Sequence, residues 1–249
     1  MSLTPGRGAA LVTGGGKRIG RVLALAAAKA GYDVAIHHHQ SDQDAQGVAA
    51  EIEALGRKAR AYAADLADPE TLSPLLDRAT ADLGPVTLLV NSASLFREDA
   101  VGSLDAALYD AHQAVNLRAP VLLALAFAKA LPEGRDGLIV NIIDQRVLRP
   151  DPFFFSYALS KSGLWWATRT LAQSLAPRIR VNAIGPGPTL PSIHQTPADF
   201  AAEAASSLLR HAVPPEEIGA ALAYLIDARS VTGQMIAVDS GQHLTWNSP

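Results

Sequence analysis

Tyr157 and Lys161 stand four residues apart in Tyr157-Ala-Leu-Ser-Lys161, a spacing that puts both on one helical face, one turn from each other. An ammonium beside a phenol favours tyrosinate, which brings the tyrosine's proton within reach of neutral-pH acid–base chemistry. A second group opens the chain: Thr13-Gly14-Gly15-Gly16-Lys17-Arg18-Ile19-Gly20, between an apolar run and a helical pattern. Glycines there let backbone approach a ligand closely, and a helix start offers free N–H groups to a pyrophosphate. The third group is His37-His38-His39-Gln40-Ser41, with no carboxylate before Asp42. An acid at this place would hold a ribose 2′-hydroxyl and repel a 2′-phosphate. Ser41, Gln40 and the His39 imidazole accept a phosphate instead, with charge from Lys17 and Arg18, so NADP is expected over NAD. No metal is expected, because consecutive strand residues alternate faces and three neighbouring histidines cannot converge on one ion.

These residues need elements to carry them. Short β-branched runs predict strands near Ala9–Thr13, Val34–His38, Ala59–Ala63, Val86–Val90, Leu138–Ile143, Ile179–Ile184 and Met235–Val238. Amphipathic patterns predict helices near Arg18–Ala30, Gln43–Leu55, Pro69–Asp82, Leu104–Leu131, Ser156–Ala176 and Pro215–Asp227. Strands that are apolar on consecutive residues, such as Val86-Thr-Leu-Leu-Val90, fit parallel strands covered on both faces. The alternation predicts an α/β fold: a Rossmann-type doubly wound sheet of about seven parallel strands with helices on both faces. No linker or low-complexity segment divides the chain, so residues 1–249 are expected to form one domain. Gly185–Pro197 carries four prolines between a strand and the next helix, and a loop of that length predicts a substrate lid near 185–201.

Composition excludes several classes. The 249 residues contain no cysteine, which removes disulfides, thiolate metal sites and a cysteine nucleophile, and a cytoplasmic setting is expected. A net charge of −3 argues against a nucleic-acid surface. The start lacks a signal-peptide pattern, and the longest apolar stretch, Ala119–Ala128, is too short for a membrane span and contains Pro120.

Taken together, the pieces resemble the short-chain dehydrogenase/reductase family over nearly the whole length. They are the Thr13–Gly20 turn, Asp65-Leu66, Asn91-Ser-Ala-Ser94, Asn116, Tyr157/Lys161, Gly185-Pro-Gly187 and Val231-Thr-Gly with Val238-Asp-Ser-Gly. The resemblance implies hydride transfer with Tyr157 as acid/base and Lys161 lowering its pKa and holding the nicotinamide ribose. It places Asn116 at a proton-relay water and Asp65 and Leu66 beside the adenine, with Asn91, Ala93 and Gly187 lining the cofactor. A homotetramer is also implied.

Two departures stand out: Arg18 replaces the family's middle glycine, and Asp144 replaces its serine thirteen residues before Tyr157. A hydroxyl can donate to a carbonyl, whereas an ionised carboxylate only accepts, so Asp144 suits a substrate edge bearing N–H groups. Both departures are similar to the pteridine reductase branch, as are Lys17-Arg-Ile-Gly20, His37-His-His39-Gln-Ser41 and Asn91-Ser-Ala-Ser94-Leu-Phe96. That likeness implies NADPH-dependent reduction of a dihydropterin such as dihydromonapterin, dihydrobiopterin or dihydrofolate. Phe96 would cover the flat ring opposite the nicotinamide, and Ser94, Asp144 and Tyr157 would contact it. A carbonyl-reducing relative of 3-oxoacyl or sugar-alcohol type and a non-catalytic NADP sensor are the alternatives. Phe153–Phe155 are open between pocket, core and subunit contact, Trp165 and Trp166 between interface and core, and Arg146 between Asp144 and a substrate acid.

Overall fold

The chain is described here by a computed structural model covering residues 7–192 and 195–246. Its strands are β1 (Ala9–Thr13), β2 (Asp33–His38), β3 (Ala59–Ala63), β4 (Val86–Asn91), β5 (Gly137–Ile142), β6 (Ile179–Pro186) and β7 (Met235–Val238). All pair in parallel, in the order β3-β2-β1-β4-β5-β6-β7. The expected doubly wound α/β sheet is present, and each expected strand end moves by no more than two residues.

Alternation of side chains explains why the strands read as continuous apolar runs. Ala10 and Val12 of β1 face a layer made by α1 (Arg18–Lys29), α2 (Asp42–Ala54) and α8 (Pro215–Asp227). Ala9 and Leu11 face the opposite layer of α3 (Leu72–Leu83), α5 (Ala119–Ala130) and α6 (Phe155–Leu175). Strand order reverses at β1, which has β2 on one side and β4 on the other. The crevice of such a sheet opens beyond the C-terminal ends of the strands at that switch point, where Thr13 and Asn91 lie in register.

Two expectations are corrected. The single helix over Leu104–Leu131 is instead α4 (Ala106–Gln113), a wide turn over Ala114–Arg118, and α5. Pro120 is the physical reason: it has no N–H to give the Asn116 carbonyl four residues back, and its ring crowds that carbonyl. The turn widens to an i→i+5 pattern, with the Ala119 N–H on Ala114 O. The second correction concerns the 185–201 segment, which is only partly loop. β6 continues to Pro186, and a helix absent from the expected set, α7 (Pro197–Ser206), begins within it. Thr196 caps α7 in a reciprocal box with Asp199, with Pro197 at the first position. Ile193 and His194 of that segment lie outside the described residues. Among the described residues no helix is long and apolar enough to cross a membrane.

Candidate active site

The glycine turn sits at the C-terminal end of β1, where contact with the β4 end demands glycine. Gly14 has φ +64, and a Cβ on it would stand 2.9 Å from Ala93 Cα; one on Gly20 would stand 2.0 Å from Gly14 O. Arg18 occupies the family's glycine position with a left-handed backbone, φ 51, so an arginine holds a conformation that usually favours glycine. Its guanidinium donates to Leu190 O at 3.1 Å, tying the turn to the segment after β6. Lys17 is exposed and paired with Asp44 at 2.8 Å. Ile19 is half-buried in the first turn of α1.

His37 clips this turn to the sheet. Its Nδ1 accepts the Gly14 N–H at 3.1 Å and its Nε2 meets Ala64 O at 3.1 Å. Burial pushes its pKa down to about 4, which keeps the ring neutral with Nδ1 as acceptor. His39 and Gln40 are exposed just past β2, and half-buried Ser41 precedes α2. Asp65 and buried Leu66 follow β3, with the Asp65 carboxylate accepting Ala67 N–H at 2.9 Å. Ala93 N–H bonds Thr13 Oγ1 at 3.0 Å, and Gly187 N–H bonds Val238 O at 3.0 Å.

Three buried side-chain atoms among the described residues lack a hydrogen-bond partner: His38 Nδ1, Asn91 Oδ1 and Gln145 Oε1. They lie at the ends of β2 and β4 and just past β5, along the sheet edge where the crevice opens. Unpaired buried polar atoms cost about 1–3 kcal/mol each, and a polar ligand across these strand ends supplies what they lack. With the close-packed glycine turn, this edge fits a dinucleotide.

Tyr157, Lys161, Asp144 and Phe96 converge beside it. Tyr157 on α6 is buried and its hydroxyl donates to Asp144 Oδ2 at 2.9 Å. Arg146 reaches the same oxygen at 3.3 Å and Asp151 at 3.3 Å. Of the partners left open for Arg146, the structure supplies Asp144. Lys161 is buried, donates to Ile142 O at 2.9 Å, and lies 5.7 Å from the Tyr157 ring centroid. Phe96 meets Tyr157 edge to face at 4.8 Å and stacks on Phe154 at 4.4 Å, 7° from parallel. Phe153 is exposed, and Phe155 begins α6. Trp165 is half-buried and Trp166 exposed, so Trp166 is not core; the Arg169 guanidinium lies 5.9 Å from each ring.

The electrostatics reverse one expectation. Lys161 was to lower the Tyr157 pKa, yet the phenol is held well above its ordinary value. Burial is the largest cause and the Asp144 carboxylate the next. Lys161 is itself lowered to about 8 by burial, with Asp144 opposing. Helical spacing shows that the two side chains are neighbours, but not that both are desolvated.

Asn116 lies in the wide turn between α4 and α5. Its Nδ2 donates to Leu95 O at 2.9 Å and Ser160 Oγ at 3.2 Å; its Oδ1 accepts from Leu95 N at 2.8 Å and Ser94 Oγ at 3.3 Å. The side chain is fully engaged in clamping the Ser94–Leu95 backbone. Asn141 and Thr168 were not foreseen. Asn91 Nδ2 donates to Asn141 Oδ1 at 2.8 Å, and Asn141 Nδ2 donates to Thr168 Oγ1 at 2.9 Å, a buried polar ladder from β4 to α6. The available signal was an asparagine near the C-terminal end of each of two largely apolar strands.

The family model described as "Enoyl-(Acyl carrier protein) reductase" matches residues 14–243. An uncharacterized oxidoreductase of Mycobacterium tuberculosis is 34% identical over 93% of this chain and 90% of its own length. The L-rhamnose 1-dehydrogenase (NAD(P)(+)) of a Sphingomonas species is 30% identical over 98% and 99%. Among solved structures, the FolM alternative dihydrofolate reductase 1 from Brucella suis, in complex with NADP, is 52% identical. It covers 97% of both chains with a TM-score of 0.93.

Proposed function

The chain belongs to the short-chain dehydrogenase/reductase family, and from that premise we propose that it reduces a dihydropterin or dihydrofolate to the tetrahydro form with NADPH. One observation carries the substrate class: the Tyr157 hydroxyl donates to the Asp144 carboxylate at 2.9 Å, with Phe96 edge-on to that tyrosine at 4.8 Å. A carboxylate there accepts from the amino and ring N–H groups of a pterin, and an aromatic ring beside it suits a flat heterocycle. The 52% likeness to an alternative dihydrofolate reductase supports the same choice.

In this proposal Gly14, Lys17, Arg18, Ile19 and Gly20 hold the pyrophosphate. His39, Gln40 and Ser41, with Lys17 and Arg18, take the 2′-phosphate. Lys17 is available for it because an exposed ion pair like Lys17–Asp44 contributes only about 0–1 kcal/mol. Asp65 and Leu66 border the adenine, and Asn91, Ala93 and Gly187 line the nicotinamide half. Arg18 holds Leu190, in the proposed substrate segment 185–201, to the phosphate turn.

When bound, NADPH supplies the hydride that C6 of a 7,8-dihydropterin gains. Tyr157 holds the proton that N5 needs, kept on the phenol by burial and by Asp144. Lys161 is cationic below pH about 8 and offsets the charge left on Tyr157 when the proton leaves. Asp144 orients the pterin edge, and Arg146 balances its charge. Ser94 adds a hydroxyl beside the same ring. A homotetramer would cover the exposed Trp166.

The likeness to a sugar dehydrogenase favours a second reading, reduction of a carbonyl. NADPH oxidation assayed against dihydrobiopterin, dihydromonapterin, dihydrofolate and a panel of ketones separates the two. Turnover of ketones alone would sink the pterin proposal.

A further inference from the structure

A buried polar cluster that the proposed chemistry does not use lies behind Tyr157. The N-cap residue of α6 is Phe154, at φ 53, with no side-chain cap hydrogen bond. The first N–H groups of any helix need acceptors, usually an oxygen from the N-cap side chain. Here they come from Asp99, 57 residues before Ser156, on the segment that follows β4. Its main-chain oxygen accepts the Phe155 N–H at 3.4 Å, and its carboxylate accepts the Ser156 N–H at 3.1 and 3.3 Å. The Ser156 hydroxyl also donates to Asp99. A carboxylate at this end of a helix faces the positive pole of the helix dipole.

His112 of α4 completes the cluster. Its Nδ1 lies 2.6 Å from Ser156 Oγ, and its Nε2 accepts the Arg97 N–H at 3.3 Å. One proton pattern satisfies every contact: Arg97 N–H to Nε2, Nδ1–H to Ser156 Oγ, and Ser156 O–H to Asp99. That pattern needs a neutral imidazole, and burial lowers the His112 pKa in that direction. Asp99, His112 and Ser156 are 5%, 0% and 0% exposed, so no substrate touches them. The serine bridges the other two side chains and is not poised as a nucleophile.

We infer that Asp99 and His112 are positioning residues that fasten the segment carrying Ser94 and Phe96 to the first turn of the helix carrying Tyr157. The segment is gripped at Arg97 by α4 and at Asp99 by α6, while Asn116 grips Leu95 from the wide turn. Ring and acid are thereby held at one separation. The inference rests on Tyr157 being the acid, as proposed above.

The test uses the full-length protein with Asp99→Ala and the gentler Asp99→Asn, which keeps one acceptor for the Ser156 N–H. Hydrogen exchange of Asp99→Ala is expected to quicken about tenfold in residues 153–160 together with residues 92–99. Quickening in 92–99 alone, with the first turn of α6 unchanged, would overturn the inference. In kinetics with dihydrobiopterin, NADPH affinity should hold while kcat falls about 10- to 100-fold, and Asp99→Asn should recover most of it. Adding Asp99→Ala to Tyr157→Phe should then cost nothing further, because the first acts through the second. Independent, multiplying losses would overturn it. The exchange measurement needs no substrate, so a failure of the pterin proposal, seen as no turnover of dihydrobiopterin, stays distinct from a failure of this one.

Discussion

Replacing Asp144 by serine restores the residue type the wider family carries and removes the feature that carries the pterin proposal. The carboxylate accepts from Tyr157 at 2.9 Å, from Arg146 Nη1 at 3.3 Å and from the Arg146 N–H at 2.9 Å, and a serine is one bond too short to repeat these contacts. A hydrogen bond to a charged group contributes about 1.5–3 kcal/mol, so losing the one to the substrate edge should cut kcat/KM for a dihydropterin roughly 10- to 150-fold. The pH profile should move as well. Asp144 is the second cause of the raised Tyr157 pKa and the one charge that opposes the lowering of Lys161. Without it both groups lose their protons at lower pH, so the basic limb of the rate shifts toward acid. Arg146 keeps Asp151 at 3.3 Å and lies 5.8 and 5.3 Å from the Phe96 and Phe154 ring centroids, which limits collapse of the site. The assay is a pH series of NADPH oxidation on one dihydropterin and one ketone, for wild type and Asp144→Ser. Ketone turnover should rise slightly, because a hydroxyl donates. Unchanged dihydropterin kinetics in the variant would refute the role given to Asp144.

Tyr157→Phe removes only a hydroxyl, so NADPH affinity by fluorescence titration should persist while turnover falls about 10²–10⁴-fold; full turnover would show that another group is the acid. NADPH should bind roughly 10- to 150-fold tighter than NADH, with Lys17→Ala narrowing the gap, and equal affinities in titration would defeat the phosphate assignment. Lys161 sits lowered to about 8 from an ordinary 10.5, so the unfolded chain binds more protons between those pH values and stability rises as pH climbs through that window. Below pH about 8 the buried ammonium costs about 3 kcal/mol, so Lys161→Met should raise the melting temperature at neutral pH while activity is lost. A melting temperature that drops would show that the Lys161 bond to Ile142 O outweighs the burial. Wild-type activity should fall as pH rises through about 8, a limb that Lys161→Arg should displace upward.

The strands were legible because a sheet covered on both faces needs apolar residues at consecutive positions, as in Val86–Val90. The break at Asn116 follows from Pro120 four residues on, whose missing N–H the amphipathic pattern over Leu104–Leu131 does not register. Helix α7 was missed despite Thr196-Pro197-Ala198-Asp199, which carries both the cap and its reciprocal acid. In the site, spacing alone made Tyr157 and Lys161 neighbours, and the departures Arg18 and Asp144 pointed to their own places. What spacing cannot carry is desolvation, which sets the direction of the Tyr157 pKa. Nor does it reveal partners brought together by the sheet: Asp99 and His112 lie 57 and 44 residues from Ser156, and no local pattern links them.

The central claim is that hydride reaches a pterin carbon while Tyr157 supplies the proton. A single turnover with dihydrobiopterin and NADPH deuterated at the transferable C4 position tests it, read by mass spectrometry and NMR of the product. The account predicts one deuterium at C6 of tetrahydrobiopterin with wild type and none on the same time scale with Tyr157→Phe. No deuterium in the pterin, while a ketone treated in the same way acquires it, would contradict the account.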